Sequence, residues 1–243
     1  MLLALFLVAA APVAAFATPT PPPAAEVPVR ADAVELVRVL NPEGLMADMV
    51  VRSFADSMRS VIDGSEDYHV LEKEYPGISE ALIEAMSKVM RADFIADQPA
   101  LRLRYARFYA DRFSPDETAQ LMRFYSSSAG QRLVKAKFSK LDATPMVGEF
   151  VEAPDTQVSK DHIRDLNRAA TLSIIGDISR EDRATLMEFA KQPVFVKLGQ
   201  ARGAIEQLEA AIANEADPEL DKALDAATNA VFLKFTGKPL PGR

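Results

Sequence analysis

The chain has 243 residues, 49% of them apolar, with 28 Lys and Arg against 35 Asp and Glu for a net charge of −7. It holds no cysteine, which excludes disulfide staples, thiol catalysis and a closed zinc site built on thiolates. The acidic balance argues against nucleic acid and anionic lipid as partners.

Leu2 to Ala17 form an uncharged apolar run that ends Ala15-Phe16-Ala17. The run is short for a membrane span and closes on the small-x-small pattern of a signal peptidase site. Residues 1–17 therefore read as a signal peptide cleaved after Ala17, although no Lys or Arg stands near Met1. This predicts a periplasmic or secreted protein that is not integral to the membrane after processing. Residues 18–30 follow as a proline-rich linker and carry five of the sixteen prolines, an extended composition without a core.

From there almost every segment reads as helix. A short helix is expected over about 31–40. Asn41-Pro42 opens a second with Leu45, Met46, Met49, Val50 and Phe54 at helical spacing and Gly64 as a stop. Residues 65–77 read as a loop. From Ile78 the stripe Leu82, Met86, Val89, Met90, Phe94 is helical, Pro99 is a break or kink, and Leu101, Tyr105, Phe108 and Tyr109 continue to Phe113. Ser114 is placed as an N-cap with Glu117 reaching back, Pro115 suits the first helical position, and Asp116 and Glu117 favour the positive end of the helix dipole. Ser126-Ser-Ser-Ala-Gly130 interrupts this helix, and Ser128 with Gln131 offers a capping box for the next, to about Lys140.

Residues 141–158, with Pro145, Gly148 and Pro154, read as a linker. Helices resume at about 160–175, 179–191 and 194–214, and Asp217-Pro218 caps a last one to about 235 before the tail 237–243. No stretch alternates long enough for a strand. The expected fold is an all-α bundle of seven to nine helices, with an N-terminal region 31–140 and a C-terminal region 159–236. A shift of 65 residues lays 178–201 over 113–136 without a gap, with seven of twenty-four residues identical. Ser179 and Asp182 stand where Ser114 and Glu117 stood. Such self-similarity suggests two similar halves from an internal duplication.

Phe113, Ser114, Glu117, Phe124, Tyr125, Ser127, Gly130 and Gln131 match a signature that runs Phe-Ser-x-x-Glu, Phe-Tyr, Ser-Pro-x-Gly-Gln/Lys. In this the segment 113–133 resembles the family catalogued as domain of unknown function 2059, with Ser128 in place of the expected proline. The resemblance implies an all-α fold and an envelope location. It implies no activity and supplies no catalytic residue.

No catalytic, cofactor-binding or metal-binding constellation assembles in the sequence. His69 and His162 each sit among acids, but neither has a second histidine at ligand spacing. The serines at 126–128 lack a nucleophile elbow and suit a helix corner. Arg104, Tyr105, Phe108 and Tyr109 mark a candidate groove, because arginine between aromatics can hold phosphate or stacked rings; at helical spacing the aromatics also suit a core. The composition points to a non-enzymatic envelope module that binds a partner protein or an apolar small molecule. The competing readings are a carboxylate-dependent envelope hydrolase and a structural or assembly protein.

Overall fold

The strongest local signal in the chain sets a helix start where it was expected. Ser114 Oγ accepts from the Glu117 N–H at 3.3 Å, and the Glu117 carboxylate accepts from the Ser114 N–H at 2.8 Å, so two otherwise orphaned donors are satisfied. The computed structural model describes residues 28–142, 144 and 157–240, and among these it is all-helical. The expected signal peptide, most of the 18–30 linker and most of the 141–158 linker lie outside the described residues.

Ten helices are described: α1 Ala31–Leu40, α2 Glu43–Asp63, α3 Glu66–Glu74, α4 Ile78–Arg112, α5 Pro115–Tyr125, α6 Ser128–Lys140, α7 Lys160–Asp177, α8 Arg180–Ala190, α9 Pro193–Ala213 and α10 Pro218–Thr236. The extra helix relative to seven to nine is α3, where a loop was expected. Ser65 enters in extended conformation, Glu66 and Asp67 stand in the first turn and Lys73 in the last, each matching the helix dipole. Burial of Tyr68 against Met58, Ile62, Ile78 and Leu82 supplies the tertiary contact that a nine-residue polar helix lacks by itself. The Glu72 carboxylate then accepts from the Gly77 and Ser79 N–H groups at 2.6 and 3.0 Å, and so supplies the cap that α4 has no side chain of its own for.

α4 runs unbroken through Pro99. Pro99 lacks the N–H that would bond the Ile95 carbonyl, yet the helix is gripped on both sides of it. Its first half packs in a core of Met58, Ile62, Tyr68, Ile78, Leu82, Ile83, Met86 and Val231, drawn from α2, α3, α4 and α10. Its second half packs in another, built on Leu36, Val37, Phe108, Tyr109, Phe113, Leu121, Phe124, Phe189 and Val194. α4 is thus the spine that joins two cores. A third, small cluster of Val158, Ile163 and Ala210 ties α7 to α9.

The α5–α6 and α8–α9 pairs share one layout. Each has an eleven-residue first helix, a two-residue corner and a second helix that starts 65 positions after its counterpart. Ser114 and Ser179 both cap, Ser179 Oγ accepting from the Asp182 N–H at 3.0 Å. The second capping box is left half-made because the shorter Asp182 carboxylate binds Arg132 instead.

Candidate functional site

The signature residues all have structural work within the hairpin. Phe113 is 1% exposed and Phe124 is buried in the same core. The Phe124 ring lies flat on Phe189 with centroids 4.0 Å apart and planes within 3°, while Tyr125 meets both rings edge-on. At the α5–α6 corner Ser127, not Ser128, is the cap. Its Oγ accepts from the Gly130 N–H at 3.1 Å and donates to the Phe124 carbonyl at 2.6 Å. Gln131 Nε2 donates to the Tyr125 carbonyl at 2.8 Å. Gly130 is forced by space, since a Cβ there would stand 2.2 Å from the Phe124 carbonyl oxygen and 2.6 Å from the Tyr125 Cα. Ser128 falls at the first helical position, where the resemblance expects a proline and where proline is well tolerated.

The arginine–aromatic stripe on α4 packs inward. Phe108 and Tyr109 are buried and Tyr105 is half-buried beside them. Burial pushes the Tyr105 and Tyr109 hydroxyls well above the ordinary phenol range. Arg104 is held by Glu215 through two bonds of 2.5 and 2.6 Å, Arg102 by Glu43 at 3.4 Å, and the Arg112 guanidinium lies 4.0 Å over the Phe108 ring. The space bordered by Val37, Met46, Gln98, Leu101 and Tyr105 has no room for a solvent molecule. His69 is exposed on α3. His162 completes a capping box in place of the usual Glu, its Nδ1 accepting from the Ser159 N–H at 3.2 Å while Ser159 Oγ accepts from the His162 N–H at 3.2 Å.

Two groupings come together only in three dimensions. Asp93 and Asp97, one turn apart on α4, meet Asp217 at the start of α10, with carboxylate oxygens all within 4.8 Å of one another. Burial, and then Asp217 and Asp97, push the Asp93 carboxyl up. Asp217 is occupied as an N-cap, accepting from the Glu219 and Leu220 N–H groups at 3.1 and 2.9 Å.

The second grouping is an open groove of about 420 Å³ between α7 and α9, lined by Arg164, Arg168, Gly199, Arg202, Gly203 and Glu206. The two helices run antiparallel: Val158 exchanges two bonds with the Asn214 side chain at 2.8 and 2.9 Å, and Asn167 donates to Glu209 at 3.2 Å. Arg164 pairs with Asp161 at 2.8 Å, and Arg202 with the buried Glu206 at 2.9 Å. Arg168 is exposed and makes no ion pair among the described residues. A Cβ on Gly199 or Gly203 would meet nothing within 4 Å. Beyond the arginines Leu172, Ile175 and Val196 are exposed at 62%, 53% and 57%, and helical spacing continues the stripe Arg164, Arg168, Leu172, Ile175 along α7. The sequence offered a partial signal here, an i, i+4 arginine pair and a Gly-x-x-x-Gly in a helix interior, but only the antiparallel packing brings them together.

Residues 99–148 match the family model described as "Uncharacterized protein conserved in bacteria (DUF2059)". The matched segment spans the end of α4, α5 and α6, and so agrees with the resemblance seen in the sequence. No curated protein and no solved structure matches the chain. No helix among the described residues is long and apolar enough to cross a membrane.

Proposed function

We propose that the protein is an exported, non-enzymatic helical module of the cell envelope that binds a partner protein, and that the partner lays a helix bearing carboxylates into the groove between α7 and α9. The observation that carries this reading is the floor of the groove. Gly199 and Gly203 sit inside α9, where each glycine costs about 1 kcal/mol relative to alanine, and no contact among the described residues offsets that cost. An incoming backbone does. Arg168 then meets a carboxylate, and Leu172, Ile175 and Val196 cover apolar side chains of the same helix.

The other half of the chain supports a helix as the occupant. There α2 packs against both α4 and α6, and its Arg52 donates to the Phe138 and Leu141 carbonyls at 2.7 and 3.3 Å. Shifted by 65 residues, Phe138 and Leu141 fall on Gly203 and Glu206. Both of these counterparts line the groove between α7 and α9. The groove is shallow and open, which suits a polypeptide better than an apolar small molecule. Export rests on the Leu2–Ala17 run and is tested by N-terminal sequencing of the mature protein, expected to begin at Thr18.

A photo-crosslinking residue at Gly199, used in the native host, tests the binding. A discrete adduct with one other protein that disappears on Arg168→Glu supports the proposal. Adducts that survive Arg168→Glu, or none at all, refute it. The hydrolase reading is favoured by one observation, the raised carboxyl of Asp93 beside Asp97 and Asp217. Hydrolysis of envelope polymers by the purified protein, abolished by Asp93→Asn, would establish it.

A further inference from the structure

The contacts between the two hairpins are reciprocal. Glu117 and Asp182 are counterparts under the 65-residue shift, and so are Arg132 and Lys197. Lys197 Nζ donates to both Glu117 oxygens at 2.8 and 2.6 Å. Arg132 grips Asp182 with its Nε at 2.9 Å and also with Nη2. Each hairpin thus gives its acid to the other's base. α6 packs on α8, and α9 packs on α5. Phe124 and Phe189, also counterparts, stack on each other, as a residue lying on a two-fold axis must. Contact of i with j's counterpart together with contact of j with i's counterpart defines an isologous interface.

We infer that the α5–α6 hairpin carries a like-with-like docking face whose partner is a second hairpin of the same kind, and that this chain supplies that partner from its own α8–α9. These four helices form a two-fold dimer of hairpins fused into one polypeptide. The arrangement explains why an aromatic, an acid and a base recur at these positions in both copies. Phe124 and Phe189 fill the axis, Glu117 and Asp182 lie at equivalent helix starts, and Arg132 and Lys197 complete the pairs. It also assigns Glu117 two tasks, cap and interface acid, with Lys197 seated between it and the Phe113 ring 5.5 Å away. A chain with one hairpin would present this face uncovered and take a second copy of itself.

The test uses the full chain and reads the thermal midpoint and the urea midpoint. Glu117→Lys and Asp182→Lys each lower both midpoints. Lys197→Glu rescues the first but not the second, and Arg132→Glu rescues the second but not the first. Equivalence is read from a four-fold exchange, Glu117→Asp, Lys197→Arg, Arg132→Lys and Asp182→Glu together, which hands each pair the chemistry of the other. The reach-back bond lost at Ser114 is regained at Ser179. The exchange is expected to stay within about 3 °C of the parent, about 1 kcal/mol for a chain of this size. A loss as large as that of either single reversal, or rescue without regard to partner, overturns the inference. Should a reversed variant fail to fold at all, the exchange variant still decides the matter, since it retains every charge.

Discussion

Gly130→Ala sets two physical arguments against each other. Helix propensity alone expects a gain of about 1 kcal/mol from alanine near the start of α6. The corner expects a loss. The added Cβ would stand 2.2 Å from the Phe124 carbonyl oxygen, 2.9 Å from its carbon and 2.6 Å from the Tyr125 Cα. All three atoms belong to backbone, so the corner must open by about 1 Å to restore ordinary contact. Opening it strains the cap at Ser127, worth about 1 kcal/mol, and the Gln131 bond to Tyr125, worth about another. Overpacking strain adds about 1–3 kcal/mol. After the propensity gain the net loss is about 2–4 kcal/mol, a fall of about 5–15 °C in midpoint for a chain of this size. Thermal and urea unfolding followed by circular dichroism measures it. An unchanged or raised midpoint would show that the corner opens without cost and that Gly130 is not required by space. At the second corner Phe195 occupies the position of Gly130, and Gln192 makes no side-chain cap.

The remaining predictions use the same unfolding assays. Gly199→Ala and Gly203→Ala each raise stability by up to about 1 kcal/mol, the opposite sign to Gly130, because their Cβ atoms enter open space. Ser127→Ala lowers stability by about 1 kcal/mol, whereas Ser128→Ala leaves it unchanged. Hydrogen bonding to Arg132 holds the Asp182 carboxyl below its ordinary range, and bonding to Lys197 does the same for Glu117. A carboxylate whose pKa is depressed by folding stabilises the fold above its unfolded pKa and ceases to do so as the pH falls through the folded value. The parent is therefore more stable than Arg132→Met/Lys197→Met at neutral pH, and the two curves converge on acidification below the carboxylate range. Asp93 runs the other way. Its raised carboxyl means that the charged form opposes folding, so Asp93→Asn raises the midpoint at neutral pH and the gain vanishes as the pH falls through the raised value.

Helix starts were legible where a short local pattern fixes them. Ser114 with Pro115 and Glu117, Asp217 with Pro218, and Ser179 behave as read. The cap at α6 was misplaced by one residue because Ser126, Ser127 and Ser128 offer nearly the same chemistry, and only the folded corner shows that the Gly130 N–H reaches Ser127 Oγ. Helix α3 was missed because its stability comes from burying Tyr68 against α2 and α4, a contact with no local trace. Likewise Pro99 marks a break in any isolated sequence, yet the two cores gripping α4 hold the helix through it. The site residues divide along the same line. Phe113, Phe124, Gly130 and Gln131 were legible as a motif, and the structure gives them tasks in the hairpin. The α7–α9 groove was not legible, since Arg168 and Gly199 are ordinary apart and meaningful only when antiparallel packing brings them together.

Residues that build the hairpins and residues that meet a partner can be told apart by direct measurement. Glu117→Gln and Arg168→Glu are placed in the chain that carries the Gly199 crosslinker, and unfolding midpoint and adduct yield are recorded for each below its midpoint. A lowered midpoint with a retained adduct is expected for Glu117→Gln, and an unchanged midpoint with a lost adduct for Arg168→Glu. The reverse pattern, adduct lost through the hairpin and kept without the arginine, would contradict this division of roles.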